Sequence, residues 1–85
     1  MSWNYRIMRR SFVHKNGEKE EWLGIHEVYY SSDKKVEGYT ENSVSPGGMD
    51  EDELKTTLGL MMKAFDLPIL EYEESSRQDN PENDL

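Results

Sequence analysis

The dipeptide Asn16-Gly17 constrains the fold of this chain more than any other feature of the sequence. It separates two runs of alternating apolar and polar residues, 3–13 and 20–30, that are rich in aromatic and β-branched side chains. Asparagine and glycine both tolerate the positive φ angles that a two-residue hairpin turn needs. The sequence therefore predicts that the first thirty residues form an antiparallel β-hairpin.

A two-residue turn would fix which residues of this hairpin oppose each other, because register follows from turn length. One face would then carry the opposed pairs that resemble a protein core: Trp3 with Tyr30, Tyr5 with Val28, Ile7 with His26, and Ser11 with Trp22. The other face would carry Arg6 with Glu27 as an ion pair, Met8 with Ile25, and Arg10 with Leu23.

A second turn signal, residues 31–35, predicts a third strand over 36–44. A turn centred on Asp33 and Lys34 would place Tyr39 beside Val28 and Glu41 beside His26. Farther along, Pro68–Tyr72 predicts a short fourth strand at an edge of the sheet, because proline lacks a backbone donor.

One helix is predicted after the flexible segment 45–48. Asp50 is a suitable N-cap, Glu53 completes a capping box, and Met49 with Leu54 would form a hydrophobic staple. Apolar residues follow at helical spacing: Leu54, Leu58, Met61, Met62 and Phe65. Pro68 prevents continuation, so the helix is expected to end near residues 65–66.

These elements predict a single α+β domain over residues 1–73. Its sheet would have three or four antiparallel strands in meander order, with one helix packed on one face (β-β-β-α-β). The remaining residues, 74–85, have one apolar side chain in an acidic segment and are predicted to be a disordered tail.

Charge and composition exclude several classes of protein. The net charge of −8 disfavours nucleic acid as a partner, although Arg6, Arg9, Arg10 and Lys15 stand near the N-terminus without a carboxylate among them. The charged N-terminus differs from a signal peptide, and no apolar run approaches the length of about 20 residues that spans a bilayer. We therefore expect a cytoplasmic protein without membrane contact.

Motifs for catalysis or metal binding are missing from the sequence. There is no cysteine, and the two histidines, His14 and His26, lack the spacing of a zinc site or a recognisable serine partner. The carboxylates at 50–53 and 71–74 lack the alternate spacing of a calcium loop. We expect no catalytic residue, no metal and no cofactor.

The predicted register leaves one face of the sheet uncovered, because a single helix covers only one face. Aromatic, methionine and arginine side chains are enriched in protein interfaces. The sequence therefore predicts an interaction surface for another protein or for a second copy of the chain. Its predicted residues are Arg6, Met8, Arg10, Phe12, Leu23, Ile25 and Tyr29.

Four stretches carry a family resemblance: WNYRIMRR, GIHEVYY, GYTENSV and DLPILEYE. Through them, the chain from Trp3 to Glu73 resembles a family of small uncharacterised bacterial proteins, which implies a bacterial, cytosolic origin. In its order of elements the chain is also similar to the HicB-like antitoxin domain, a partial RNase H-like fold. The DNA-binding module often appended to that domain is missing here, so autoregulation of transcription is not implied.

The sequence thus favours a non-enzymatic module that acts through protein contacts. The alternative is a nucleic-acid-binding accessory protein that uses the basic first strand. An enzyme whose site is assembled from residues far apart in sequence is the third hypothesis.

Overall fold

The structure, a computed structural model, describes residues 2–73 and has a four-stranded sheet with one helix. Its elements are the strands β1 (Ser2–Val13), β2 (Lys19–Tyr30) and β3 (Val36–Tyr39), helix α1 (Glu51–Met62) with a 3₁₀ turn (Lys63–Asp66), and strand β4 (Leu70–Glu71). The strand order is β3-β2-β1-β4. The predicted α+β class is confirmed, and the predicted tail, 74–85, lies outside the described residues.

One strand departs from the predicted antiparallel sheet. Strands β1, β2 and β3 form the expected antiparallel meander, but β4 pairs parallel with β1 at Met8 and Arg9. The long connection through the helix explains the difference, because a crossover of this kind returns the chain in the same direction, which a tight hairpin cannot do. The predicted edge position of β4 is confirmed.

The first hairpin turn has three residues in its loop, and the two-residue turn predicted from the sequence is wrong. The Gly17 amide donates to the His14 carbonyl at 2.9 Å, and the His14 amide donates to the Glu18 carbonyl at 2.8 Å. Only Gly17 needs a positive φ, 91°, whereas a two-residue turn of type I′ would need it at Asn16 as well. The Asn16 side chain instead accepts from the Glu18 amide at 3.0 Å.

The extra turn residue shifts the pairing of β1 with β2 by one position, so the predicted pairs of this hairpin are wrong. Tyr5 faces Glu27, Ile7 faces Ile25, and Arg6 faces His26, so the predicted ion pair between Arg6 and Glu27 does not form. In this register, opposed residues of β1 and β2 are both odd-numbered or both even-numbered. We therefore call the two sides of the sheet the odd face and the even face. Tyr5 and Val28, predicted to be neighbours, lie on opposite faces.

Strand β3 begins at Val36 as predicted but ends at Tyr39, so the predicted extent to residue 44 is wrong, and a bulge compensates for its longer turn. The Lys34 amide donates to the Ser31 carbonyl at 2.9 Å, which makes this turn one residue longer than predicted. An irregularity between Tyr29 and Tyr30 then shifts the pairing by one residue. Tyr39 lies opposite Val28, as predicted.

The helix begins as the sequence predicts. The Asp50 carboxylate accepts from the Glu53 amide at 2.9 Å, and the Glu53 carboxylate accepts from the Met49 amide at 2.9 Å. The predicted staple is wrong, because the Met49 side chain is 92% exposed. The 3₁₀ turn ends at Asp66, within the predicted boundary.

Both faces of the sheet contribute to the core. On the even face, Met8 and Val28 are 1% and 0% exposed and pack with Tyr72. On the odd face, Ile7 is buried where the helix and its 3₁₀ turn, with buried Met61 and Ala64, approach β1. The helix covers the odd face only. The even face is nevertheless covered, because Tyr39 and Tyr72, the latter directly after β4, pack across it.

Candidate functional site

Two tyrosines from opposite edges of the sheet cover the centre of the even face. Tyr39, on β3, and Tyr72, directly after β4, have ring centroids 5.2 Å apart. Both rings pack on the buried pair Met8 and Val28. The Arg10 guanidinium lies 4.2 Å from the centroid of the Tyr72 ring, in cation–π geometry. This part of the predicted interaction surface is therefore occupied by the chain itself.

The arginines of β1 hold the segment 68–71 in place. Arg6 donates to the Tyr30 hydroxyl at 2.9 Å and to the Pro68 carbonyl at 2.7 Å. Arg9 forms an ion pair of 2.7 Å with Glu71 on β4. These contacts join β1 to the segment 68–71, so the basic residues of β1 have a structural role as well as a charge.

The corrected register divides the predicted interaction surface between two faces. Its even-numbered members from β1 lie on the even face: Arg6, Met8, Arg10 and Phe12. Its odd-numbered members from β2 lie on the odd face: Leu23, Ile25 and Tyr29. The prediction that all seven share one surface is wrong, because it depended on the two-residue turn. Leu23 and Ile25 remain together beside the helix.

Two titratable side chains of β2, His26 and Tyr29, have polar partners within the chain. His26 is buried, and its Nδ1 lies 3.0 Å from the Thr40 carbonyl oxygen. The Tyr29 hydroxyl donates to a Glu27 carboxylate oxygen at 2.8 Å. This hydrogen bond, with smaller contributions from burial and from the Glu27 charge, raises the pKa of the Tyr29 phenol above 10.0. The arrangement holds the phenol in its neutral form.

The β1–β2 hairpin extends beyond the rest of the molecule. Each of its strands has twelve residues and spans about 40 Å, whereas the twelve-residue helix spans only about 18 Å. Every residue from 11 to 23 is exposed, and we call this segment the hairpin arm. Phe12 and Trp22 lie on its even face, and Val13 and Leu23 lie on its odd face.

An apolar groove of about 450 Å³ lies where the arm, the loop before the helix and the helix meet. Its lining is contributed by the strands, the loop, and the helix with its 3₁₀ turn: Ile7, Trp22, Leu23, Gly24 and Ile25 from the strands, Ser43, Val44 and Pro46 from the loop, Leu58, Met61 and Met62 from the helix, and Phe65 from the 3₁₀ turn. None of the described residues that line it is charged. We call this feature the apolar groove.

A close approach of the loop to β2 shapes one wall of the groove. The Val44 amide donates to the Ile25 carbonyl at 2.8 Å. A Cβ atom at Gly24 would lie 2.9 Å from Cβ of Ser43, closer than such atoms approach in proteins. Glycine at position 24 therefore allows the loop to lie against the strand.

The rim of the groove is more exposed than the sequence predicts. Phe65, on the rim, is 63% exposed, and Trp22, on the even face of the neighbouring arm, is 62% exposed, although the helical and alternating patterns place both in the core. Leu58 and Met62 are exposed as well. The signal that could have revealed this is length, because two twelve-residue strands cannot be covered by a twelve-residue helix.

Comparisons with family models, with curated proteins and with solved structures give no match to this chain. The resemblances seen in the sequence therefore stay predictions. Within residues 2–73, no helix has the length and apolar character needed to cross a membrane. In the same range, no three His, Asp or Glu side chains form a group that could hold a metal ion.

Proposed function

We propose that the protein is a bacterial, cytoplasmic, non-enzymatic module that acts by binding a protein chain at the apolar groove. The observation that carries this proposal is the exposed, uncharged rim formed by Leu23, Met62 and Phe65 around the groove. Contiguous apolar surface of this kind is unfavourable in water and typically marks an interaction site.

The chemistry of the rim supports a protein as the ligand. Phenylalanine and methionine, the types of Phe65 and Met62, are enriched in the buried centres of protein interfaces, where a few large side chains supply most of the binding free energy. Methionine also adapts its shape to different partners, because its side chain is flexible and polarizable. The groove offers these side chains beside a β-strand edge and a helix.

Nucleic-acid binding through β1 has weaker support. Arg6 and Arg9 contact Pro68 and Glu71 of their own chain, and the net charge of −8 opposes association with phosphate backbones. If nucleic acid were the ligand, retention on a phosphate matrix would fall with salt and with loss of these arginines, and cross-linking from the groove would not depend on its apolar rim.

Site-specific photo-cross-linking in the native cell tests the proposal. A photoreactive amino acid at Leu58, on the groove, should give discrete protein adducts. The same residue at Val36, on β3 outside the groove, should not give them. The two positions are matched because their side chains are 45% and 46% exposed. The Leu58 adducts should disappear when Phe65→Glu is added, since a carboxylate on the rim opposes burial. Identical adducts from both positions, or adducts that persist in Phe65→Glu, would show that the groove is not the binding site.

A further inference from the structure

The outer edge of β2 is open next to the apolar groove. Strand β3 pairs with β2 only at Val28–Tyr30, and the loop continues along this edge as far as Ile25. Within the described residues, no strand pairs with the outer edge of β2 between Lys19 and Leu23. This stretch belongs to the hairpin arm.

Backbone hydrogen bonds show which groups point outward along this edge. The Glu27 and Ile25 carbonyls accept from the Thr40 and Val44 amides on the outer side of β2. Backbone groups of alternate residues point to the same side of a strand. The amide and carbonyl of Glu21 and Leu23 therefore point outward, away from β1. They can form a ladder with an added strand.

We propose that a second copy of this chain occupies the edge and the groove together, with the two β2 strands antiparallel across a two-fold axis. This inference rests on the proposed function, because it assigns an occupant to the same groove. A two-fold axis places the same β2 edge of the second copy antiparallel to the first. Each copy therefore contributes the same surface to the contact, and the assembly closes as a dimer.

The exposed area is compatible with a dimer. The four exposed rim side chains on the helix side, Leu23, Leu58, Met62 and Phe65, present surface on the order of 450 Å². A stable dimer buries about 800 Å² per partner, and the paired backbone of the edge supplies the remainder. A patch of this size falls within the range of apolar patches that are often functional.

The charges on the arm are compatible with this pairing. The Glu21 carboxylate lies 3.7 Å from Nε of Arg9 on the neighbouring strand, which reduces its repulsion of the same residue in the other copy. Among the described groove-lining residues none is charged, so closing the groove desolvates no ion there. Glu20, on the even face, points away from the helix side of the contact.

Sedimentation equilibrium of the full chain, from micromolar to millimolar concentrations, tests the proposal. The wild type should form a dimer. Glu21→Pro removes an outward-facing amide without breaking a bond to β1, and Phe65→Glu places a charge on the rim. Each should raise the dissociation constant at least about tenfold. Met49→Glu, at a side chain that is 92% exposed outside the groove lining, should leave it unchanged.

The wild type remaining monomeric throughout this range, or a dimer that persists in either folded variant, would overturn the proposal. Circular dichroism checks that each variant is folded, and if Glu21→Pro is unfolded, the result for Phe65→Glu decides alone. A monomeric wild type whose Leu58 position still cross-links to a different protein would refute the dimer and leave the proposed function intact.

Discussion

At the scale of single residues, burial separates side chains of the same type into different roles. Met8 is 1% exposed in the centre of the even face, beneath Tyr72, whereas Met49 is almost fully exposed before the helix. A buried methionine gains free energy from removal of its apolar surface from water and from its close contacts with neighbouring side chains. The two positions therefore form a matched pair.

Met8→Ala should lower the free energy of unfolding by about 2–5 kcal/mol, because it removes buried apolar surface and leaves a cavity. Met49→Ala should change it by less than about 0.5 kcal/mol. Urea denaturation followed by circular dichroism measures both values. Equal, small effects of the two substitutions would mean that Met8 does not lie in the core.

At the scale of elements, the hairpin depends on a glycine in its turn. Gly17 has a φ of 91°, a value at which an L-amino acid with a side chain is strained. Gly38, in β3, has a negative φ, and a Cβ atom at either glycine would have no neighbour within 4 Å. The two glycines differ in backbone conformation and not in the space around them.

Gly17→Ala should reduce the free energy of unfolding by about 1 kcal/mol, because alanine pays a steric cost at positive φ. Gly38→Ala should be neutral or slightly stabilising, since alanine is less flexible in the unfolded chain. Thermal and urea unfolding of the two variants measure the difference. A Gly17→Ala variant as stable as Gly38→Ala would contradict the turn described above.

Most elements could be predicted from the sequence because their signals are local. The Asp50 cap, the end of the helix and the edge position of β4 each follow from a few neighbouring residues. The register could not be predicted, because Asn16-Gly17 fits both a two-residue and a three-residue turn, and the choice between them reverses the face of every β2 residue. The parallel pairing of β4 depends on the path of the helix, which no local pattern specifies.

At the scale of the whole molecule, the two edges of the sheet are joined across its even face. Tyr72 contacts Tyr39 from the opposite edge and His26 from β2, with ring centroids 5.2 and 5.8 Å apart. The Tyr39 hydroxyl also accepts from the Glu73 amide at 3.0 Å. The residues directly after β4 therefore complete the core on the even face, although β4 itself has only two residues.

Tyr72→Ala should lower the free energy of unfolding by about 3–5 kcal/mol, because it removes the ring that covers the centre of the even face. Tyr72→Phe keeps the ring and should cost much less than Tyr72→Ala. Chemical denaturation compares the variants. A Tyr72→Ala variant with wild-type stability would mean that the chain after β4 does not contribute to the core.

The candidate site could be predicted only in part, for a reason that also belongs to this scale. Leu23 and Ile25, predicted to belong to an interaction surface, do line the groove, because they are apolar and alternate along one face of the strand. Trp22 and Phe65 were assigned to the core, since their periodicity is that of buried positions. Their exposure results from the hairpin being longer than the helix, which is a relation between two elements and not a property of either sequence.

The central claim is the register of β1 and β2, on which both faces and the apolar groove depend. Odd-numbered pairs of this hairpin are non-hydrogen-bonded, so their Cα atoms should lie about 4.5 Å apart and their Hα atoms in close contact. A nuclear Overhauser spectrum of the labelled chain should show strong Hα-to-Hα cross-peaks between Ile7 and Ile25 and between Arg9 and Leu23. Cross-peaks that pair Ile7 with His26 and Tyr5 with Val28 instead would contradict the account.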